Sequence, residues 1–118
     1  MEQLTRIQTN INLLKRHQVR FKAEGETVED EVVGLRIGNF VLVTFPGELS
    51  VEIGLGIKQR SPYPYTFVAG VTNGYIYYTP TEAQLENRGN AQEDSDCLVA
   101  LEWQVLFEQK VGQVLERL

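Results

Sequence analysis

The sequence has few of the residues that form disulfide bonds or bind metal ions. It contains one cysteine, Cys97, and one histidine, His17, among 118 residues. A single cysteine excludes a disulfide framework and a cysteine-rich zinc site. A single histidine without a second ligand four residues away is a poor metal site. We therefore interpret Cys97 as a reduced, partly buried thiol and His17 as a solvated surface residue.

Two further absences narrow the class of protein. No apolar run reaches the length of a transmembrane helix, and the N-terminus lacks the apolar core of a signal peptide. We therefore expect a cytoplasmic protein without membrane insertion. Sixteen acidic against eleven basic residues leave a net charge of −5, which excludes general binding to nucleic acid because that requires a basic face.

The amino-acid composition of the chain is that of an ordinary globular protein. Apolar residues make up 42% and charged residues 23% of the sequence. A chain of this length buries about two-thirds of its unfolded surface, so it folds without disulfides or a structural metal. We predict a single domain over residues 1–118.

Apolar periodicity predicts the individual elements. Leu4, Ile7, Ile11 and Leu14 repeat at helical spacing, with basic residues in the second half of that helix. The predicted elements are a helix over 3–22, a β-hairpin over 31–45, a helix over 49–60, a strand over 65–71, a short strand over 75–78, and helices over 80–86 and 97–117.

The strands show two different patterns. Leu35 and Ile37 alternate with Gly34 and Arg36, which predicts a half-buried strand. Residues 40–45 are almost continuously apolar, which predicts a central strand covered on both faces. Strand 40–45, helix 49–60 and strand 65–71 form a βαβ unit, whose strands are parallel and whose crossover is almost always right-handed.

The predicted fold class is therefore α/β, bordering on α+β. A small mixed sheet is built from the hairpin and the right-handed βαβ unit, and long N- and C-terminal helices pack against it. In the crossover helix, Gly54 and Gly56 each cost about 1 kcal/mol relative to alanine, and we expect them to allow a close approach to the sheet.

Polar side chains follow both parallel strands at the point where each strand ends. Glu48 follows the first strand, and Asn73, Tyr75 and Tyr78 follow the second. Parallel strands end at one edge of the sheet, where ligands bind in open α/β folds, so these four residues form the predicted edge of a pocket. A carboxylate and a phenol there make half of an oxygen-rich metal shell. The alternative is structural: Glu48 complements the helix dipole and the tyrosines pack on the strand.

At these residues the sequence resembles the neutral/alkaline, non-lysosomal ceramidase family and its bacterial relatives. The resemblance covers residues 33–82 and is carried by two stretches, LRIGNFVLVTFPGELSVEIGLGIKQR and TFVAGVTNGYIYYTPTEAQL. The shared pattern is a strand ending in Pro-Gly-Glu, a helix, a strand, then Asn-x-Tyr-x-x-Tyr and an acidic helix.

The resemblance implies a zinc amidase that hydrolyses N-acyl sphingosines, with Glu48 and Tyr78 as two of its zinc ligands. The remaining ligands of the family are two histidines from an upstream region that this chain lacks, and His17 matches neither. Asn90 stands where the family has a further active-site tyrosine. A phenol that can donate to an oxyanion is thereby lost, which argues against catalysis of the family type.

Two functional hypotheses follow. In the first, the chain is a non-catalytic ceramidase-like module for binding or assembly, holds no cofactor and forms homo-oligomers, because surfaces that the family buries would be exposed. In the second, it is the C-terminal piece of a zinc-dependent amidase whose histidines come from another region or chain. A lipid amide is the ligand that the resemblance implies, without other support in the sequence. The chain starts with Met1 and carries a predicted helix at each end, as a complete gene product would; a fragment is the alternative.

Overall fold

The structure, a computed structural model, describes residues 1–25, 27–86 and 97–118. Its strands form a three-stranded mixed sheet and a two-stranded parallel sheet. Together with the helices, these sheets confirm the predicted α/β class. In chain order the elements are α1 (Glu2–Glu24), β1 (Gly34–Ile37), β2 (Phe40–Thr44), β3 (Glu48–Leu49), α2 (Val51–Arg60), β4 (Tyr65–Ala69), β5 (Tyr78–Thr79), α3 (Glu82–Leu85) and α4 (Trp103–Arg117).

Strand β2 is the centre of the larger sheet, whose order is β1-β2-β4. Strand β1 pairs with it antiparallel through a two-residue turn at Gly38 and Asn39, as the sequence predicts. Strand β4 pairs with β2 in parallel and is reached through α2, so the predicted βαβ unit is present. The carboxyl ends of β2 and β4 therefore lie at the same edge of the sheet.

One face of this sheet carries the core. Val41 and Val43 of β2 have no exposed surface. Their buried neighbours come from α2, α4 and the loops at the sheet edge: Phe45, Ile53, Ile57, Ile76, Phe107, Val111 and Leu115. Arg36, which lies in the same cross-strand row as Val41, donates to the Leu118 carbonyl oxygen at 3.0 Å. Helices α2 and α4 therefore cover the same face.

The opposite face of the sheet is apolar, and none of the described helices covers it. The cross-strand register aligns six large side chains on it: Leu35, Ile37, Phe40, Leu42, Tyr65 and Phe67. Ile37 is 65% exposed and Phe40 is 40% exposed. The prediction that residues 40–45 are covered on both faces is therefore wrong, because α2 and α4 share one face. Strand β1 was predicted to bury its apolar side, but Leu35 and Ile37 lie on the open face for the same reason.

Helix α1 does not pack against the sheet. Its apolar stripe stays exposed, from 40% at Ile11 to 71% at Leu4, and none of its residues belongs to the buried core of the described residues. The prediction of an N-terminal helix is confirmed, but its predicted packing on the sheet is wrong. Residues 27–33, called here the acidic connector, lead into β1.

The C-terminal helix is shorter than predicted. It begins at Trp103 rather than at residue 97, because the backbone of Cys97 instead forms β-bridges with Tyr77 and Tyr78. The indole nitrogen of Trp103 donates to the Pro80 carbonyl oxygen at 3.0 Å, which anchors the start of the helix beside the α3 segment.

The strand ends at the sheet edge also differ from the predictions. Strand 65–71 ends at Ala69, because Val71 adopts a φ of 50° and donates its N–H to the Gly47 carbonyl oxygen. The predicted strand 75–78 is shifted to β5. The helix predicted from residue 49 begins at Val51, because β3 occupies Glu48–Leu49 and pairs with β5.

Helix α3 is a single turn inside the predicted range 80–86. Thr81 is its N-cap and forms a capping box with Gln84. The Gln84 N–H donates to the Thr81 hydroxyl at 3.2 Å, and the Thr81 N–H donates to the Gln84 side chain at 2.8 Å. This reciprocal pair satisfies the first backbone donors of the helix.

Candidate binding edge at Glu48 and the tyrosine loop

Glu48 and Tyr78, which are 30 residues apart in sequence, are neighbours in the parallel pair of β3 and β5. The Glu48 N–H donates to the Tyr77 carbonyl oxygen at 2.9 Å, and the Thr79 hydroxyl donates to the Glu48 carbonyl oxygen at 3.0 Å. The two residues predicted from the βαβ topology to share one edge of the sheet are therefore brought together.

The segment 73–78, called here the tyrosine loop, is held against the end of β2. The Ile76 N–H donates to the Pro46 carbonyl oxygen at 2.8 Å, and the Ile76 side chain is 8% exposed in the core. Gly47 lies directly beneath the loop. A Cβ atom there would lie 2.7 Å from the Tyr77 carbonyl oxygen and 2.9 Å from Ile76 Cγ1, so only glycine fits this approach.

Tyr75 makes the shortest side-chain contact of this edge. Its hydroxyl donates to Glu48 Oε1 at 2.5 Å, a charge-assisted hydrogen bond between two side chains that are 27 residues apart. The ring of Tyr75 lies 5.0 Å from that of Tyr77, a tilted aromatic pair. Glu48 is therefore oriented by a phenol.

This hydrogen bond changes the acidity of the phenol. It raises the pKa of Tyr75 from 10.0 to about 12, with smaller upward contributions from desolvation and from the negative charge of Glu48. Tyr75 is about half exposed, so donation to the carboxylate is the main cause. An ionised Tyr75 would lose that donation and face another anion. Tyr75 therefore remains a neutral donor over the physiological pH range.

Glu48 lines two clefts. The larger, of about 430 Å³, runs along α2 and has an apolar wall formed by Val51, Leu55, Val68 and Val71. The smaller, of about 270 Å³, lies between Glu48, Tyr78 and Gln84. Such a site, apolar with a few convergent polar groups, suits a small ligand with a donor for the carboxylate and an apolar part for the wall.

Of the four residues predicted at the pocket edge, three are together. Glu48, Tyr75 and Tyr78 meet as described, and Tyr78 also contributes electrostatically to the raised pKa of Tyr75. Asn73 is exposed, has a φ of 64°, and lines neither of the two clefts that contain Glu48. It shapes the turn instead.

Two residues of this region, Lys58 and Asp30, were not among the site residues predicted from the sequence. Lys58 of α2 lines the larger cleft together with Glu48, and its Nζ lies 5.7 Å from the centroid of the Phe67 ring. Its spacing from Val51 and Leu55 on one helical face was a usable signal. Asp30 of the acidic connector has both carboxylate oxygens close to Gly74, within 3.1 Å of where a Cβ would stand. Only the tertiary contact reveals it.

The described residues do not form a zinc site by themselves. In this part of the chain no group of three or more histidine, cysteine, aspartate or glutamate side chains is placed to hold a metal. Glu48 and Tyr78 offer two oxygen ligands, whereas zinc sites use three or four protein ligands. His17 lies in α1 and lines a different cleft, with Cys97. Asn90, which stands where the resembled family has an active-site tyrosine, lies outside the described residues.

We predict that alkaline titration followed by tyrosine absorbance will resolve one late ionisation, near pH 12, in the wild-type protein. Tyr75→Phe should remove it, because that substitution deletes the phenol bound to Glu48. Tyr65→Phe, a change of an exposed tyrosine on β4, serves as the control and should leave it in place. A late ionisation that survives Tyr75→Phe would contradict the geometry.

The same hydrogen bond links stability to pH. Because the folded pKa of Tyr75 is raised, its contribution to the free energy of unfolding is complete below pH 10 and is lost as the pH approaches about 12. Wild-type protein should therefore lose more stability across this interval than Tyr75→Phe does. Urea unfolding at pH 10 and at about pH 12 measures these losses, and equal losses for wild type and Tyr75→Phe would rule out this linkage.

Comparison of the chain with models of known protein families, with curated proteins and with solved structures finds no match. Within residues 1–25, 27–86 and 97–118, none of the helices combines the length and the apolar character needed to cross a membrane.

Proposed function

We propose that this chain is a ceramidase-like module without a complete active site, which serves in binding and assembly and forms homo-oligomers rather than catalysing a reaction. The observation that carries the proposal is the open face of the central sheet, on which six large apolar side chains lie without a covering layer from the described residues. Contiguous apolar surface of this kind is ordinarily covered by association.

The binding part of the proposal is supported by the edge at Glu48. The carboxylate is held by Tyr75 at the boundary of two clefts, and the larger cleft pairs Lys58 with an apolar wall. A lipid amide suits this combination, since its N–H can donate to the carboxylate while its acyl chain lies on the wall. Glu48 and Tyr78 alone are two oxygen ligands, too few for a zinc site, which supports a module without a cofactor of its own.

The assembly part is tested by mass in solution. Light scattering of the full chain at micromolar concentration is expected to give a mass of at least twice 13.4 kDa. Dilution should shift this mass downward, as expected for a reversible oligomer. A mass of one chain at every concentration up to about 100 μM, a weak-association limit, would refute homo-oligomerisation.

A second candidate function is supported by the register of β3 and β5. Glu48 and Tyr78 are direct partners there, and these are the two residues that the family resemblance implies as zinc ligands. Under this hypothesis the chain is the C-terminal piece of a zinc-dependent amidase, and histidines from another region or chain complete the metal site.

Zinc calorimetry distinguishes the two hypotheses. Two oxygen ligands hold zinc poorly, so we predict no stoichiometric binding by this chain at sub-micromolar dissociation constants. Glu48→Gln should leave the titration unchanged. Tight binding that Glu48→Gln weakens by about tenfold or more, as loss of a ligand-orienting or ligating group does, would favour the amidase and contradict a module without a metal.

A further inference from the structure

We propose that two copies of this chain associate by reciprocal exchange, in which the apolar stripe of α1 from each copy covers the open sheet face of the other. This inference rests on the proposed oligomerisation and specifies its surfaces. The open sheet face is defined by Leu35, Ile37, Phe40, Leu42, Tyr65 and Phe67. The α1 stripe is defined by Leu4, Ile7, Ile11, Leu14 and Phe21.

The open sheet face is a continuous apolar surface. Its two cross-strand rows are Leu35–Leu42–Phe67 and Ile37–Phe40–Tyr65. Phe40 and Phe67 stack with ring centroids 5.2 Å apart, which joins the rows across β2 and β4. Three strands spaced by about 4.8 Å, each of four or five residues, match the footprint of one helix.

The α1 stripe has the matching form. Its first four members recur at three- and four-residue intervals, Phe21 follows seven residues after Leu14, and all five lie on one side of a 23-residue helix. At about 1.5 Å per residue, the segment from Leu4 to Phe21 is about 26 Å long, longer than the strands it would cross. Ile7 and Leu14 are each more than half exposed. The helix and the sheet thus each lack the layer that the other provides.

Charge favours another copy of this chain as the occupant. Residues 1–24 contain five basic and two acidic side chains, a net charge of +3. The remainder of the chain contains six basic and fourteen acidic side chains, a net charge of −8. A basic helix is therefore attracted to the acidic remainder of a second copy, and this complementarity favours an orientation in which the two meet.

The area is sufficient for a stable dimer. A half-exposed large side chain offers on the order of 100 Å² for burial, since aromatic residues bury about 150–250 Å² in full. The eleven side chains of one helix–sheet contact then remove about 1,000 Å² from water. Two such contacts remove about 2,000 Å², which is the size of a stable interface.

Reciprocal exchange uses both unpartnered surfaces at once. In a single copy α1 leaves the sheet exposed, so no described element of the same chain covers the open sheet face or the greater part of the α1 stripe. A two-fold axis makes the two contacts equivalent and closes the assembly. An anionic membrane would also attract a basic amphipathic helix, but it would leave the open sheet face in water. A second copy covers both surfaces.

A complementation experiment with full-length variants tests the exchange. The stripe variant combines Ile7→Gln with Ile11→Gln, which keeps the helix propensity and charge of α1. The face variant combines Ile37→Lys with Tyr65→Lys at the two most exposed positions of the open sheet face. The control combines Val105→Gln with Leu106→Gln, exposed positions on α4 that belong to neither surface. Circular dichroism verifies that each variant is folded.

Sedimentation of each variant alone and of equimolar mixtures supplies the readout. Each of the two surface variants should dimerise about 100-fold more weakly than wild type, whereas the control should match wild type. Mixing the surface variants should restore dimers, because one intact stripe then meets one intact face. This rescue by mixing is specific to helix-to-sheet exchange, since face-to-face pairing of two sheets would not produce it.

Three results would overturn the exchange. Wild-type protein that is monomeric refutes both the exchange and the proposed oligomerisation. Oligomers that persist in both surface variants, or variants that fail to rescue each other, refute the exchange alone and leave oligomerisation through another surface. Monomeric protein that sediments with phosphatidylserine vesicles, and loses this binding in the stripe variant, assigns α1 to the membrane surface instead.

Discussion

Phe107→Ala is expected to destabilise the protein by about 3–5 kcal/mol, the usual cost of removing a buried aromatic side chain. Phe107 is 7% exposed, and its ring lies 4.6 Å from that of Phe45 and 5.9 Å from that of Trp103. It is the point at which α4 meets the end of β2. A loss of this size is a large part of the stability of a small domain.

Urea unfolding at a fixed protein concentration, followed by the fluorescence of Trp103, measures this effect. The control is Leu106→Ala, which truncates the preceding residue of the same helix at a site that is 61% exposed. It should change the free energy of unfolding by about 0.5 kcal/mol or less, as surface substitutions usually do. Equal effects of the two substitutions would contradict the orientation of α4.

Gly47→Ala is expected to cost about 3 kcal/mol and to separate Glu48 from Tyr75, because overpacking at a rigid contact forces the backbone apart. The added methyl group would meet the Tyr77 carbonyl oxygen at 2.7 Å. That oxygen accepts from the Glu48 N–H, so it cannot move without breaking the pairing of β3 with the tyrosine loop. Urea unfolding gives the stability, and the late ionisation of Tyr75 reports on the site.

Gly54→Ala is the matched control for Gly47→Ala. A Cβ atom at Gly54 would meet no other atom within 4 Å, so alanine should stabilise α2 by about 1 kcal/mol. It should leave the ionisation of Tyr75 unchanged. The expectation that Gly54 permits a close approach of this helix to the sheet is therefore wrong. A Gly47→Ala protein that is as stable as wild type would show that the loop can move.

Much of the architecture was predictable because it depends on local pattern. The apolar spacing of α1 and the Gly38–Asn39 turn each report on a few neighbouring residues. The β2–α2–β4 unit followed from the order of these elements, since a crossover helix makes the strands parallel. That unit also predicted the meeting of Glu48 with Tyr78, which the pairing of β3 and β5 confirms.

The details of the binding edge could not be predicted because they depend on contacts between distant residues. The Tyr75 hydroxyl donates to the Glu48 carboxylate from 27 residues away, beside a backbone in which Tyr77 adopts a φ of 64°. The late start of α4 has a similar origin, since Cys97 pairs with the tyrosine loop. No local propensity encodes such a pairing.

The sequence by itself determined the α/β class, the central position of β2, and the two strand ends that carry Glu48 and the tyrosines, because hydrophobic period and connection order suffice for these. Only the tertiary structure decided which apolar surfaces are covered. Residues 40–45 and the α1 stripe are both apolar, and an apolar sequence does not by itself show whether a segment is buried or exposed. Whether they are covered depends on where α2 and α4 lie, and both helices lie on one face of the sheet.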